Sequence, residues 1–400
     1  MKIEDICTRI CSGGTPKSGK AEYYENGTIP WLNTKEINFN RIQATETFIT
    51  EEGLSNSSAK WIKPHAVIVA MYGATAGRVA VAEAPLTTNQ ACCNLEVDET
   101  IADYRYIYYW LKQNFDSIAG LANGGAQQNL SAKVIRQIEI NLPDLIKQRS
   151  IANFLDSFDS KIETNAKLNG YLDEYIDATL RNMLNQQEGA EVSLGDYLYI
   201  KGRIGWKGLK KSEYLSDSNY RIINGESLTM SGIDWNKAGY ISKERYDESP
   251  EIMLEIGDIL LSKDGTIGKI GYVDELERPT TVASGIFVIR NQRKDVLSTH
   301  FVYYLLKSRL FKAFIASRTE GSVIPHLYQK DFVEFLFPLP PIDVMKKFDK
   351  LTGPMFQQTI VNAHENKRLA ELRDALLPKL MSGEIDVSKI DLTQLNSHLA

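Results

Sequence analysis

The feature of this sequence that most constrains its fold is a pair of long helical segments that repeat one another. An apolar seam with alternating steps of three and four residues runs through residues 151–183, and the same steps recur through residues 348–380, about 197 residues further on. A period of about 3.5 residues is typical of helices that pack as a coiled coil. The repeat therefore predicts two long helices, at 145–187 and 342–382, that pair with each other.

Two asparagines interrupt the seam at the same steps of each helix. Asn165 and Asn169 in the first helix correspond to Asn362 and Asn366 in the second. An asparagine in an apolar seam lowers stability, but it penalises every misaligned pairing of the helices. We predict that these four residues fix the register of an antiparallel helix pair.

The segments that precede the two helices also repeat each other. The first has a buried strand at 67–71, a loop at 73–78 and a strand at 79–81, and the second has a strand at 259–261 followed by a loop at 264–269. A helical stretch at 103–117 carries aromatic residues that we assign to the core, as we do Tyr303 and Tyr304 in the second copy, and a further strand is predicted at 138–142. These patterns predict an α+β protein in which two duplicated mixed α/β domains are separated by the antiparallel pair of long coiled-coil helices. The predicted boundaries are 1–144 for the first domain, 145–188 for the central helix, 189–341 for the second domain, 342–384 for the C-terminal helix and 385–400 for a tail.

Composition narrows the class of protein. The chain has 400 residues, 43% of them hydrophobic and 24% charged, which is typical of a folded protein with more than one domain. No apolar run reaches the roughly 18 residues of a membrane span, and the acidic N-terminus does not resemble a signal peptide. The four cysteines lack the paired spacing of a zinc site. We therefore expect a cytoplasmic protein with reduced thiols, no metal and no membrane association.

Several motifs together resemble the specificity (S) subunits of type I restriction-modification enzymes. They are Ser-Gly-Gly-Thr-Pro at 12–16, Gly-Asp-Ile-Leu at 257–260, Asp-Gly-Thr-Ile-Gly-Lys at 264–269, and a Leu-Pro pair just before each long helix. The resemblance covers nearly the whole chain. It implies two target recognition domains that each read one half of a bipartite sequence in double-stranded DNA, with the helices setting the spacer. It also implies that the chain has no active site and no cofactor of its own, and works with two methyltransferase (M) subunits and with restriction (R) subunits. S-adenosylmethionine, ATP and Mg are expected in those partners.

One residue departs from an ideal helix repeat. Pro354 lies within the second helix, at the position that Ser157 occupies in the first. Proline has no N–H to donate and its ring clashes with the preceding turn, so it breaks most helix interiors. We expect the second helix to kink or restart there.

Enzymatic alternatives find weaker support in the sequence. Residues 14–20 fit the G-x-x-x-x-G-K pattern of a phosphate loop, but Ala21 stands where the magnesium-binding Ser or Thr should be, and the flanking residues do not predict a strand followed by a helix. The five histidines show no spacing typical of a catalytic triad or a metal site. We predict that this chain is not itself an enzyme.

Charge leaves a second alternative open. The formal net charge is −5 and the pI about 5.7, whereas domains that bind nucleic acid often exceed a pI of about 9. A coiled-coil scaffold whose two domains bind proteins, without DNA, would fit that net charge better.

Basic side chains are nevertheless clustered in loops, and we predict that they contact DNA phosphates; the alternative for each is an ordinary solvated surface. The predicted contacts are Lys17, Lys20, Lys35, Arg78 and Lys133 in the first copy, and Lys201, Arg203, Lys207, Lys210, Lys211, Lys263, Lys269 and Lys330 in the second.

Base reading requires side chains that donate and accept hydrogen bonds at the groove edges. Gln127, Gln128 and Asn129 follow a glycine-rich turn, at a place where the second copy has His326 and Tyr328. Different side chains at equivalent places are what two domains with different half-sites would need, although neutral divergence gives the same pattern. We include these five residues among the predicted DNA contacts.

Overall fold

The structure divides the chain into two units. The computed structural model describes residues 1–122, 129–186, 191–204, 208–319 and 326–389. Unit 1 comprises Met1–Glu163 with Asn366–Ala400, and unit 2 comprises Thr164–Glu365. Each unit therefore contains a globular part and one half of each long helix. No helix in the described ranges is long and apolar enough to cross a membrane.

Unit 1 is built on two mixed sheets. A five-stranded sheet has the order β1-β9-β6-β7-β3, and a four-stranded sheet has the order β4-β2-β8-β5. The pairs β3–β7 and β2–β8 are parallel, and the other pairs are antiparallel. Its strands are β1 (Cys7–Ser12), β2 (Ile29–Leu32), β3 (Asn40–Ile42), β4 (Thr47–Ile49), β5 (Trp61–Ile62), β6 (Val67–Ala70), β7 (Val79–Ala82), β8 (Leu86–Thr88) and β9 (Cys92–Val97), and its shorter helices are α1 (Glu51–Ser55), α2 (Tyr104–Gln113), α3 (Phe115–Gly120) and α4 (Ala132–Gln137).

The central strand of unit 1 shows why this sheet forms. Val67 and Val69 of β6 belong to the core shared with α2, whereas Ile68 and Ala70 belong to a second apolar cluster on the opposite face. Successive side chains of a strand point to opposite faces, so a continuous apolar run fits a strand that is covered on both sides. The predicted buried strand is confirmed. The predicted aromatic core is confirmed as well, since Tyr106 and Tyr109 of α2 are buried.

Unit 2 repeats this plan with smaller sheets. Its sheets have the orders β11-β19-β16-β17, β15-β12-β18, β13-β14 and β10-β20. Ile259 and Leu261 of β16 face the core that contains Tyr304, and Leu260 faces a separate cluster, so the alternation of β6 recurs. The strands are β10 (Glu191–Ser193), β11 (Leu198–Gly202), β12 (Tyr220–Ile223), β13 (Leu228–Thr229), β14 (Gly232–Ile233), β15 (Gly239–Ile241), β16 (Ile259–Ser262), β17 (Ile270–Tyr272), β18 (Thr280–Val282), β19 (Ile286–Asn291) and β20 (Leu336–Pro338). The shorter helices are α6 (Lys243–Asp247), α7 (Thr299–Lys307), α8 (Arg309–Thr319) and α9 (Gln329–Glu334).

The two long helices are present as predicted. They are α5 (Leu145–Asn185) and α10 (Ile342–Ser382). In unit 1, Leu369 and Leu377 of α10 share a core with Leu155 and Phe158 of α5. In unit 2, Phe348 of α10 lies in the core that contains the second half of α5.

The predicted asparagines lie between the helices. In unit 2 the Asn165 Nδ2 donates to Glu365 Oε2 at 2.5 Å, the Asn362 Nδ2 donates to Asn169 Oδ1 at 2.7 Å, and the Asn169 Nδ2 donates to the Thr359 carbonyl at 2.9 Å. Partner numbers fall along α10 as they rise along α5, so these helix halves run antiparallel. Asn165 and Asn362 are each only 3% exposed.

One asparagine of the seam belongs to unit 1. There the Asn366 Nδ2 donates to the Ile162 carbonyl at 3.2 Å. All four asparagines thus bond across the helix pair of their own unit. Their role in fixing the register stays a prediction.

The predicted restart of the second helix and the predicted strand at 138–142 are wrong, and a kink at Pro354 stays a prediction. The helix α10 continues through Pro354 without restarting. Pro354 is exposed, so water can bond the carbonyl that loses its N–H donor, and the helix tolerates the residue there. Residues 138–142 form no strand, because the segment opposite turns into a 3-10 helix at Ile3 and leaves only an isolated bridge between Lys2 and Glu139.

Equivalent tyrosines attach each globular part to its helix halves. In unit 1 the Tyr109 hydroxyl lies 2.5 Å from Asp159 Oδ2 and 2.9 Å from Asp156 Oδ1 on α5. In unit 2 the Tyr304 hydroxyl donates to Asp173 of α5. Burial raises the pKa of both phenols well above their ordinary value of 10, so both act as neutral donors to the helix.

The His300 side chain, which is only 11% exposed, is expected to make the stability of unit 2 depend on pH. His300 stacks on Phe348 and Phe356, and its Nε2 lies 3.0 Å from Thr352 Oγ1. Burial lowers the pKa of His300 from 6.5, although the charge of Asp349 opposes the shift. The unfolded chain thus takes up a proton at a higher pH than the folded chain does, and stability falls as the pH drops below about 6.5.

We expect this fall to be smaller in His300→Gln. The test compares urea midpoints of the variant and the unmodified chain at pH 7.5 and 5.5. An equal loss of stability on acidification in both proteins would show that His300 does not carry it.

Candidate nucleic-acid interface

The predicted equivalent loops share a glycine at each end, although the unit 1 loop, 71–78, is one residue longer than the unit 2 loop, 263–269. In unit 1 the loop between β6 and β7 begins with Gly73 at φ 70° and ends with Gly77 at φ 86°. In unit 2 the loop between β16 and β17 begins with Gly265 at φ 64° and ends with Gly268 at φ 91°. Left-handed φ values favour glycine, which explains why both ends of both loops carry it. The loops therefore occupy equivalent places between their strands and have left-handed glycines at both ends.

Hydrogen bonds within the loops repeat too. In unit 1 the Ala70 N–H donates to the Arg78 carbonyl and the Gly77 N–H donates to the Ala70 carbonyl, both at 2.9 Å. In unit 2 the Ser262 N–H donates to Lys269 at 2.9 Å and the Gly268 N–H donates to Ser262 at 3.2 Å. Each loop is closed at its base in the same way.

The predicted base-reading segments lie beside these loops. Asn129 forms an isolated antiparallel bridge with Tyr72, and His326 forms the corresponding bridge with Asp264. The structure thus places Asn129 and His326 at equivalent points. Gln127 and Gln128 lie outside the described residues.

Tyr72 and Asp264 were missed by the sequence reasoning. The sequence signal that could have found them is their position directly before the first glycine of each loop. Their contact with Asn129 and His326 could not be found in this way, because it joins segments far apart in the chain.

The predicted phosphate contacts differ in exposure. Lys17, Lys20, Lys35, Lys133, Lys210, Lys211 and Lys330 are exposed, whereas Arg78, Lys201, Lys263 and Lys269 are half-buried. Lys207 lies outside the described residues.

Some of these cations already have partners in the protein. Lys20 pairs with Glu22 at 3.1 Å and Lys35 with Glu46 at 2.7 Å. Exposed pairs of this kind contribute little stability, so their cations can exchange partners easily. The Lys269 Nζ, by contrast, donates to the Gly225 carbonyl at 2.8 Å and so also braces its own loop.

Arg203 is a correction to the predicted contacts. Its side chain is among the largest fully buried ones, with 1% exposure, and its Nε donates to the Val282 carbonyl at 3.0 Å. The other guanidinium nitrogens lie 3.4 Å from the hydroxyls of Ser249 and Thr281. Burial lowers its pKa from the ordinary value of 12.5. Arg203 therefore holds the interior of unit 2 together and is not available to a phosphate.

Arg203→Met tests this correction. Methionine retains apolar volume without the charge, so the variant removes the cation while the site stays filled. We expect the slope of DNA affinity against salt to stay unchanged. A shallower slope would return Arg203 to the phosphate contacts.

Metal and nucleotide sites find no further support in the described residues. Across these ranges no group of three or more His, Cys, Asp or Glu side chains could hold a metal ion. The phosphate-loop candidate at 14–20 leads into a 3-10 turn, Ala21–Tyr23, where a phosphate loop would open a helix. The four cysteines are free thiols.

The fold and the paired loops define a class of duplicated α/β proteins with two paired long helices. A family model described as the type I restriction modification DNA specificity domain matches the chain twice, at residues 1–173 and 188–371. The chain belongs to this family.

Specificity subunits from other organisms match all or part of the chain. The MjaIX specificity subunit of Methanocaldococcus jannaschii is 26% identical over 97% of this chain and 94% of that protein. The EcoR124I/EcoR124II specificity subunit of Escherichia coli is 30% identical over 37% of this chain and 38% of its own. The crystal structure of an S subunit from M. genitalium shares the fold, with a TM-score of 0.59 at 21% identity over 95% of both chains.

Proposed function

We propose that this chain is the DNA specificity subunit of a type I restriction-modification complex and that it reads a bipartite target, one half with each unit. The observation that carries the proposal is a loop that occurs twice, closed by the same two backbone hydrogen bonds, with different exposed side chains beside it. Two recognition domains with the same side chains beside their loops would select the same sequence twice. Two recognition domains with different side chains there select a target with two different halves.

Recognition divides into two kinds of contact. Exposed lysines such as Lys17, Lys133 and Lys211 seat each unit on phosphates without reading sequence. Polar side chains beside the glycine loops then donate to and accept from base edges. The helix pair sets the spacer between the halves, and the asparagines of its seam fix its register.

Chemistry on the DNA belongs to partner subunits in this proposal. Two M subunits that bind S-adenosylmethionine transfer the methyl group, and R subunits that use ATP and Mg cleave the DNA. This chain contributes the choice of sequence and a scaffold for the partners. It forms no covalent intermediate and carries no cofactor.

Enrichment of bound duplexes from a random-sequence pool tests the proposal. The chain is assembled with its M subunits, and bound duplexes are recovered and sequenced. We expect a sequence with two fixed parts and a spacer of constant length. Recovery of unselected sequences would overturn the proposal.

A second candidate is a coiled-coil scaffold that binds proteins and not DNA. The observation in its favour is the net charge of −5, which repels a polyanion unless the cations are clustered. It predicts no salt-dependent binding to duplex DNA by the assembled complex. The enrichment experiment separates the two candidates.

The exposed lysines give a quantitative prediction. Each phosphate contact contributes about 0.9 to the slope of log affinity against log salt concentration on duplex DNA. We expect Lys210→Ala with Lys211→Ala to reduce the slope by up to about 2 and to weaken binding to all sequences alike. The matched control is Lys294→Ala, an exposed lysine of unit 2 outside the predicted contacts. Equal slopes in the double variant and the control would remove both lysines from the interface.

A further inference from the structure

One pair of side chains in each unit stands out by its position. Tyr72 in unit 1 and Asp264 in unit 2 are the residues directly before the first glycine of the equivalent loops. Each faces a residue from a distant segment across an isolated antiparallel bridge, Asn129 and His326 respectively. Loop residues beside a rigid scaffold are common places for binding groups.

The two pairs have the same backbone hydrogen bond beside them. In unit 1 the Leu130 N–H donates to the Met71 carbonyl at 2.8 Å, and in unit 2 the Leu327 N–H donates to the Lys263 carbonyl at 3.0 Å. Leu130 and Leu327 are buried, at 1% and 0% exposure, and anchor their segments in the two cores. The framework that presents the pairs is therefore shared, and only the side chains presented differ.

The paired side chains are exposed and do not fill the core. Tyr72 is 44% exposed. The Asp264 and His326 side chains are 43% and 30% exposed. An exposed pair of this kind adds little to stability. A ligand can reach all four residues, Asn129 included.

The unit 2 pair has a defined hydrogen-bonding chemistry. The His326 Nδ1 bonds Asp264 Oδ1, and the ring also packs edge-on against Tyr328 at 4.4 Å between centroids. A carboxylate at Nδ1 fixes the imidazole orientation and leaves Nε2 to meet a ligand. The carboxylate retains acceptor capacity, which suits the amino group of cytosine.

The unit 1 pair has a different chemistry. The Asn129 amide offers a donor and an acceptor side by side, an arrangement that matches adenine in the major groove. Tyr72 adds a phenol, which both donates and accepts, and an aromatic face. The two pairs therefore favour different bases from equivalent places.

We propose that Tyr72 with Asn129, and Asp264 with His326, are the base-reading pairs of the two units, each selecting one base pair in its own half of the target. The inference rests on the proposed function and names the residues that give it specificity.

A transplant between the units tests the inference. Asp264→Tyr with His326→Asn places the unit 1 pair on the unit 2 framework, and the assembled complex is used for enrichment from the random pool. We expect the preferred base to change at one base pair of one half-site, with the other half and the spacer unchanged. Binding to the original target should fall roughly 5- to 150-fold, the usual effect of losing a good two-bond contact to a base.

A matched control separates base reading from a structural role. Asp217→Ala with Arg278→Ala removes another exposed ion pair of unit 2, whose atoms lie 3.1 Å apart. This control should select the original sequence. If the pair only stabilises the loop, the transplant would lower the affinity for DNA without changing the selected base.

The outcomes separate a failure of the proposed function from a failure of this inference. If the unmodified complex selects no two-part sequence, the proposed function fails. If it does select one and the transplant selects the same sequence, the inference alone fails. Asn129→His in unit 1 is an independent test that decides the matter where the transplant does not assemble, because it should change one base pair of the opposite half-site, and an unchanged sequence would overturn the inference.

Discussion

Arg290→Ala is expected to lower the free energy of unfolding of unit 2 by about 3 kcal/mol, the lower end of the usual cost of removing one partner from a buried ion pair, because Arg290 itself is 27% exposed. Asp258 is 0% exposed, and Arg290 bonds both of its carboxylate oxygens, Nε to Oδ1 at 2.7 Å and Nη2 to Oδ2 at 2.8 Å. In the part of the chain that the structure describes, the Glu255 N–H, at 2.7 Å, would then be the remaining donor to the Asp258 carboxylate. Urea unfolding followed by circular dichroism measures the loss.

Arg293→Ala is the matched control for that loss. Arg293 comes just after β19, the strand that contains Arg290, and pairs with Asp295 at 3.0 Å, but both side chains are more than half exposed. Water replaces the partner of an exposed charge, so no measurable change is expected. Similar urea midpoints for Arg290→Ala and Arg293→Ala would contradict the claim that the burial of Asp258 makes the loss of its partner costly.

Phe158→Ala is expected to destabilise unit 1 by about 3–5 kcal/mol, since it leaves a cavity in a packed core. Phe158 on α5 is 1% exposed and packs edge-on against Phe154 at 5.2 Å between ring centroids. It shares that core with Leu369 of α10, so the cavity opens where the helix halves meet the globular part. Urea unfolding again gives the value.

Tyr171→Ala provides the comparison on the same helix. Tyr171 is 69% exposed, and a substitution at such a site usually changes stability by less than about 0.5 kcal/mol. A larger loss for Tyr171→Ala than for Phe158→Ala would mean that the apolar seam does not hold the helix in place.

The local patterns predicted much of the fold. The run of apolar residues at 67–71 predicts a strand covered on both faces, and β6 is such a strand because both neighbouring clusters are built from the same unit. The seam of α5 and α10 follows from the 3.5-residue period, and the buried positions of Asn165 and Asn362 follow from their steps in it. In each case the periodicity of the sequence directly reports which side chains are covered.

The remaining features depend on contacts between distant segments. Arg203 lies in a run of basic residues and reads as a surface group, yet Val282 and Thr281, about 80 residues away, bond it in the interior. Residues 138–142 alternate like a strand but find only one bridging residue opposite. The bond of His326 to Asp264 likewise joins positions 62 residues apart. No local pattern reports such partners.

The Gly-Asp-Ile-Leu motif at 257–260 depends both on local backbone conformation and on a contact with a distant segment. Gly257 has a φ of 95°, which explains the glycine from the local backbone. Asp258 is explained only by its distant partner Arg290. The family motif is thus a structural element, a turn and a buried ion pair, and lies apart from the exposed pairs that we assign to base reading.

The most direct test of the central claim, that each unit reads one half of the target, is a competition measurement with half-scrambled duplexes. The complex with M subunits is titrated with its selected duplex and with two duplexes in which either half has been scrambled at constant composition. We expect both scrambled duplexes to bind more weakly than the selected one, because each removes the base contacts of one unit. Unchanged affinity after scrambling either half would contradict the claim.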